Sequence, residues 1–361
     1  MFETNTLYRT GDNGFYTFRI PAIVATPRGA LLVFCEARRG MGGDWDSSEI
    51  LLRRSTDAGA TWGEPVSITS GGDGPANNAV PIVNHVTGQV HLIYHVNYER
   101  AYHQTSDDDG QNWSAPRDIT ATFDAFRPEY NWRVCATGPG HAIQLSNGRL
   151  VAGVWLSTGE TREFGPQHKG HRPSCISTIY SDDHGATWQR GDIIASHNDD
   201  IRNPNENMPY QHSDGRVQLN VRSESVRHRR VVAFSKDGAT GWTAPEYHEG
   251  LFEPVCMASL IRYDEGRALF VNPDSESIPA TPVGSPGHLP RRNLTVRLSE
   301  DDGMTWVAKM VIDPGVAGYS DLAVHPDGTI FCVYEGGAMG DNHFRNTHLT
   351  LARFDIGWIA T

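Results

Sequence analysis

The chain has 361 residues, with 31 Lys and Arg against 43 Asp and Glu and a net charge of −12 at pH 7. No apolar run approaches the roughly 18 residues of a membrane-spanning helix, and the acidic balance lacks the basic stripe of a nucleic-acid-binding surface. Five cysteines, odd in number and widely spaced, do not make a disulfide framework. From the N-terminus, Met1-Phe2-Glu3-Thr4-Asn5 has neither a basic nor an apolar leader region. The expectation is a cytoplasmic chain or one whose signal has been removed. Short β-branched and aromatic runs then follow one another, each opened by a glycine. They are Gly29 to Phe34, Gly88 to Tyr94, Gly148 to Trp155, Gly215 to Val221 and Gly328 to Tyr334. Helical periodicity is scarce, so the fold class expected is all-β.

A repeat organises these runs. Ser55-Thr56-Asp57-Ala58-Gly59-Ala60-Thr61-Trp62 reads S-x-D-x-G-x-T-W, and the pattern returns at Ser181 and Ser299, at Ser106 with Asn112 in place of Thr, and as a degraded copy at Ser235. Steps of 51 to 75 residues between copies are on the scale of one four-stranded propeller blade. The box is a hairpin brace by its chemistry: Asp accepts from the turn's own amides, Gly takes a positive φ, and Trp packs on the sheet. It speaks to fold and not to function. One other spacing, His168-x-x-His171-x-x-x-Cys175, has metal-ligand residue types but no obvious fourth ligand.

These boxes, with Phe18-Arg19-Ile20-Pro21 near the N-terminus, resemble the Asp boxes and FRIP motif of the exo-α-sialidases (neuraminidases). The resemblance runs from Arg19 to Glu335. It implies a six-bladed β-propeller, with residues 1–361 forming one catalytic domain. It also implies a set of site residues. Asp44 matches the acid/base aspartate ahead of the first box, with Asp46 as the alternative register, and Arg38 matches an arginine lining the site. Glu206 and Arg222 resemble the base and second carboxylate-binding arginine, Arg19 being the first. In Pro290-Arg291-Arg292-Asn293-Leu294 the third arginine is Arg291, with Arg292 as the off-by-one alternative. Tyr319 of Tyr319-Ser320-Asp321-Leu322 matches the nucleophile, and Glu335 the glutamate that holds the first arginine. Thr137 to Leu145 resembles the family's G-P-G-H loop, with His141 in it.

The resemblance implies release of terminal sialic acid from glycans, glycoproteins or glycolipids, without metal or cofactor and without nucleic-acid or membrane partners. The chemistry is coherent. Three arginines suit the carboxylate on the anomeric carbon of a sialoside. A neutral tyrosine approaches that carbon with less repulsion than a carboxylate would, and sialidases are a known exception to the two-carboxylate pattern. Its ordinary pKa near 10 makes a neighbouring base necessary. Asn131-Trp132 stands where some relatives have Glu-Trp, which leaves the sugar open between N-acetylneuraminic acid and a Kdn-type 2-keto acid. A non-catalytic propeller that binds sialylated glycans is the third reading, although such a copy is expected to have lost one of these residues.

Overall fold

In the computed structural model, which describes residues 1–278, 289–340 and 342–360, nearly all regular structure is antiparallel β-sheet. Four sheets follow the chain. The first contains Thr17–Ala25, Leu31–Arg38, Ser48–Ser55 and Val66–Ser70, and the second Ala76–Val83, Val90–Val96, Arg100–Ser106 and Arg117–Asp118. The third is built on Val134–Thr137, Leu150–Ser157 and Ser174–Ser181, and the fourth on Asn207–Gln211, Val217–Val221, Arg229–Ser235 and Glu246–Phe252. A seven-stranded sheet follows, in which the long strand Ala308–Val324 pairs with Arg292–Ser299 on one side and Ile330–Gly336 on the other. Its far edge is the N-terminal strand Phe2–Arg9, paired with His348–Phe354, so the two ends of the chain share one sheet.

The strands that open the sheets pack on one another. Thr17–Ala25 touches Ala76–Val83 and Ala308–Val324, while Ser259–Arg262 touches Asn207–Gln211 and Ala308–Val324. Their side chains are buried on both faces, and so they read as continuous apolar runs instead of alternating ones. The glycines expected to open strands sit two residues earlier, in the turns. Gly148 (φ 93°) and Gly328 (φ 85°) take the left-handed conformation that closes those hairpins, and the strands begin at Leu150 and Ile330. The five cysteines are free and buried, most of them on such strands.

The boxes are braces, as their composition predicts. Asp183 accepts from Ser181 Oγ at 2.8 Å, Thr187 N at 2.8 Å and Thr187 Oγ1 at 2.6 Å, and Asp57, Asp108 and Asp301 repeat the pattern. In the degraded copy, Asp237 accepts from the amides of Ala239 and Thr240.

Beside the third box lies a stack of buried histidines. His91 Nδ1 is 3.0 Å from His103 Nε2, and the Arg117 guanidinium is 3.0 Å from the other His103 nitrogen. Burial, reinforced by His184 and Arg117, holds His91 down to about 4, and burial with His91 and Arg117 holds His103 to about 3. Unfolded histidines bind protons below about 6.5 and these do not, so their contribution is present above that pH and is lost as pH falls toward 4. Thermal melts should therefore show lower stability at pH 5 than at pH 7, by up to about 2 kcal/mol per histidine. Equal melting temperatures at the two pH values would contradict this.

Candidate active site

At one end of the inner strands, a cavity of about 490 Å³ gathers most of the candidate residues: Arg19, Arg38, Asp44, Glu206, Arg222, Arg291 and Tyr319. The backbone is irregular where these side chains enter. The register of Thr17–Ala25 shifts between Arg19 and Ala22, with Ile20 at φ 55°, and that of Ala308–Val324 shifts between Ala317 and Ser320, beside Tyr319. Bulges of this kind re-aim a side chain at the end of a strand. A positive φ at a β-branched residue is costly, and here the Ile20 amide is held by Glu335 Oε1 at 3.0 Å.

Glu335 organises this side of the cavity. Its two oxygens accept from Arg19 Nε at 2.9 Å and Nη2 at 3.2 Å, and Oε2 also accepts from the Tyr319 amide at 3.3 Å. One buried carboxylate thus fixes both the arginine and the backbone of the tyrosine. The Tyr319 hydroxyl donates to Glu206 Oε1 and accepts from Arg222 Nη1 at 2.7 Å, while Arg222 Nη1 also pairs with Glu206 Oε2. The Arg19 and Arg291 guanidinium carbons lie 5.2 and 5.1 Å from the tyrosine ring centroid. Burial pushes the Tyr319 hydroxyl well above its usual range, Arg222 pulls it down, and Glu206 pushes it up. The tyrosine is neutral at rest, with its proton already directed at a carboxylate.

The structure places the alternative residues of both register pairs differently. Arg291 is buried and donates to the Val255 carbonyl at 2.8 Å, while Arg292 is exposed and does not line the cavity. Asp44 accepts from Arg38 Nη1 at 2.7 Å and lies 4.0 Å from Arg19 Nη1. Although burial opposes ionisation, Arg38, then His171 and Arg19, hold Asp44 well below the usual carboxylate range. Asp46 also lines the cavity, but its Oδ2 accepts the amides of Met41 (2.9 Å) and Gly43 (2.8 Å) and so braces the loop that presents Asp44.

Several contributors lay outside the motif reading. Glu36 grips Arg38 from behind, accepting Nε at 2.9 Å and Nη2 at 2.6 Å. Two residues apart on one strand, the two side chains share a face, a signal the sequence did contain. Aromatic side chains form another part of the wall. His171 lies 4.9 Å from Tyr98, 5.1 Å from Trp155 and 4.5 Å from Phe164, and Trp45 packs on Tyr98 and His168. Burial holds His171 at about 4. The metal-like spacing dissolves here, because His171 faces this wall while Cys175 is packed in the third sheet's core. Asn131 is exposed and is not among the cavity residues. His141 lies deeper, with Nδ1 2.8 Å from Asp321 Oδ1. A second cavity of about 420 Å³, at the other ends of the inner strands near Ile23, Leu260 and Leu322, has largely apolar walls and lacks such a constellation.

Comparison with known proteins bears on this geometry. A family model described as a BNR repeat-like domain matches residues 29–332. The chain is 30% identical over 403 residues to a sialidase of Micromonospora viridifaciens, covering 99% of this chain and 54% of that protein, so it spans about half of that relative's length. It is 27% identical to Sialidase-2 of Cricetulus griseus, covering 93% of this chain and 92% of that protein. Among solved structures, the Hadza microbial sialidase Hz136 superposes with a TM-score of 0.78 at 25% identity, over 99% of this chain and 69% of that one.

Proposed function

For a chain that belongs to the BNR repeat-like family and, within it, to the exo-α-sialidases, we propose retaining hydrolysis of terminal α-sialosides through a tyrosyl intermediate. The observation that carries this reading is the Tyr319 hydroxyl set between the Glu206 carboxylate and the Arg222 guanidinium, with Arg19 and Arg291 beside its ring. We also read the sheets as six blades of one propeller domain over residues 1–361. On that reading the seven-stranded sheet is two blades that share the long strand Ala308–Val324.

Arg19, Arg222 and Arg291 receive the substrate carboxylate. Arg19 and Arg222 are already oriented by Glu335 and Glu206, and the buried Nε atoms of Arg222 and Arg291 have no hydrogen-bond partner among the described residues. In the first step the Tyr319 oxygen bonds the anomeric carbon as the glycosidic C–O bond breaks. The phenolic proton passes to Glu206, and Asp44 donates a proton to the leaving oxygen. A water then gives its proton to Asp44 and its oxygen to the anomeric carbon, while Tyr319 leaves and recovers its proton from Glu206. Two inversions give net retention. Asp44 is ionised in the empty site, and the incoming carboxylate supplies what it needs. By offsetting the charge of Arg19 and displacing water, the carboxylate raises Asp44 toward the protonated state.

Hydrolysis of a fluorogenic N-acetylneuraminic acid glycoside tests the proposal. Turnover supports it. No turnover on that glycoside or its Kdn counterpart, with binding retained, would favour the glycan-binding reading. The arginine register has its own test. Arg291→Ala should raise KM by about tenfold or more, as expected for loss of a charge-assisted contact, and Arg292→Ala should leave it near the wild-type value. The reverse pattern would overturn the assignment.

A further inference from the structure

Resting on the sialosidase reading, a second feature of the cavity bears on which sialosides fit it. Most of the guanidinium groups lining the cavity are matched by a carboxylate: Arg19 by Glu335, Arg38 by Glu36 and Asp44, Arg172 by Glu224 and Glu163, and Arg222 by Glu206. Two have no carboxylate partner among the described residues, namely Arg291, which donates to a backbone carbonyl, and Arg345. Arg291 is buried with its guanidinium carbon 4.5 Å from the Phe344 ring, and it belongs to the carboxylate-binding group. Arg345, the next residue after that ring, is half-buried, lines the same cavity, and shares a turn with the exposed Asn342, whose carbonyl accepts the Arg345 amide at 3.1 Å. The cavity's other carboxylate, Asp46, is occupied by the amides of Met41 and Gly43, and no ion pair joins it to Arg345 among the described residues.

We propose that Arg345 binds an anionic group on the aglycone, so that the preferred substrates carry a second acid next to the scissile bond. A sialoside has one carboxylate on the sugar that is cleaved, and three arginines already converge where Tyr319 would attack. A further guanidinium lining the cavity, with no carboxylate partner among the described residues, has no use for that group. It would attract a carboxylate or sulfate arriving on the adjacent sugar, and its partial burial makes the attraction stronger than at an open surface. A second 2-keto acid sugar and a sulfated sugar supply the same chemistry, and Arg345 accepts either by charge.

The test compares kcat/KM at low ionic strength for three substrates: an α2,8-linked sialic acid dimer, a 3′-sialyl oligosaccharide sulfated on the penultimate unit, and plain 3′-sialyllactose. Wild-type protein should favour at least one charged aglycone over the neutral one by about fivefold or more. The advantage should shrink in 0.5 M salt, where the Debye length falls to about 4 Å. In Arg345→Gln the ratio should fall to about one, while Arg292→Gln, altered at an exposed arginine outside the cavity, should keep the wild-type ratio. An advantage confined to the dimer or to the sulfated substrate identifies which acid is read, and either result supports the proposal. No advantage in the wild type, or one that survives in Arg345→Gln, would overturn it while leaving the hydrolytic reading intact. Failure to cleave all three substrates would remove both.

Discussion

Tyr319→Phe should reduce turnover by about three orders of magnitude or more, in line with removal of a nucleophile, while the protein stays folded. The hydroxyl donates to Glu206 and accepts from Arg222, but Glu206 and Arg222 are also paired directly, so its loss leaves neither charge stranded. The ring keeps its place beside Arg19 and Arg291, and the Tyr319 amide remains bonded to Glu335. Stability should therefore change by no more than about 1–2 kcal/mol, the range for one hydrogen-bonded hydroxyl. A steady-state assay beside a thermal melt separates the two effects. Normal turnover in the variant would defeat the nucleophile assignment, and a collapsed melt would mean that the tyrosine acts first as a core residue.

The second large effect is expected away from the reacting atoms. Arg230 and Glu253 are each about 1% exposed and paired with one another, and Arg230 Nε also donates to Asn220 Oδ1 at 2.7 Å. Glu253 Oε1 accepts the Cys256 amide at 2.8 Å, which closes a short turn containing Val255 at φ 66°. That turn presents the carbonyl to which Arg291 donates. Glu253→Ala would leave the Arg230 charge buried without its counter-ion, a loss of about 3–5 kcal/mol, out of a total stability that is usually only about 5–15 kcal/mol. Urea unfolding should show it as a much lower midpoint, and the surviving folded fraction should bind substrate more weakly because Arg291 has lost its support. By contrast, removing Asp214 from its exposed pair with Arg216 should cost about 0–1 kcal/mol. A Glu253→Ala midpoint equal to wild type would show that the pair carries neither stability nor position.

The fold was legible because its repeat is local. The regular boxes put Ser, Asp, Gly, Thr or Asn, and Trp within eight residues, and the bonds they make span the same eight, so sequence alone dictates the geometry. The site was legible where a motif fixes a residue against its neighbours: Arg19 in Phe18-Arg19-Ile20-Pro21, or Tyr319 ahead of Ser320-Asp321. It was less so at Arg291 and Arg292. Adjacent residues on a strand face opposite ways, and the backbone there departs from regular pairing at Asn293 (φ 62°), a left-handed position that asparagine tolerates but that the motif does not specify. Phe164 and Arg345 went unread, and His171 was read only as part of a metal-like spacing, because they come from loops whose course depends on what they pack against. Asn131 shows the converse. It drew attention by departing from a motif, yet its side chain is exposed and away from the cavity.

One measurement bears on the central claim most directly: following the cleavage of an aryl α-sialoside by proton NMR from its first seconds. Attack by Tyr319 followed by water requires the α-anomer of the free sugar to appear first and to mutarotate afterwards. A β-anomer appearing first would mean direct displacement by water, and would contradict the tyrosyl intermediate.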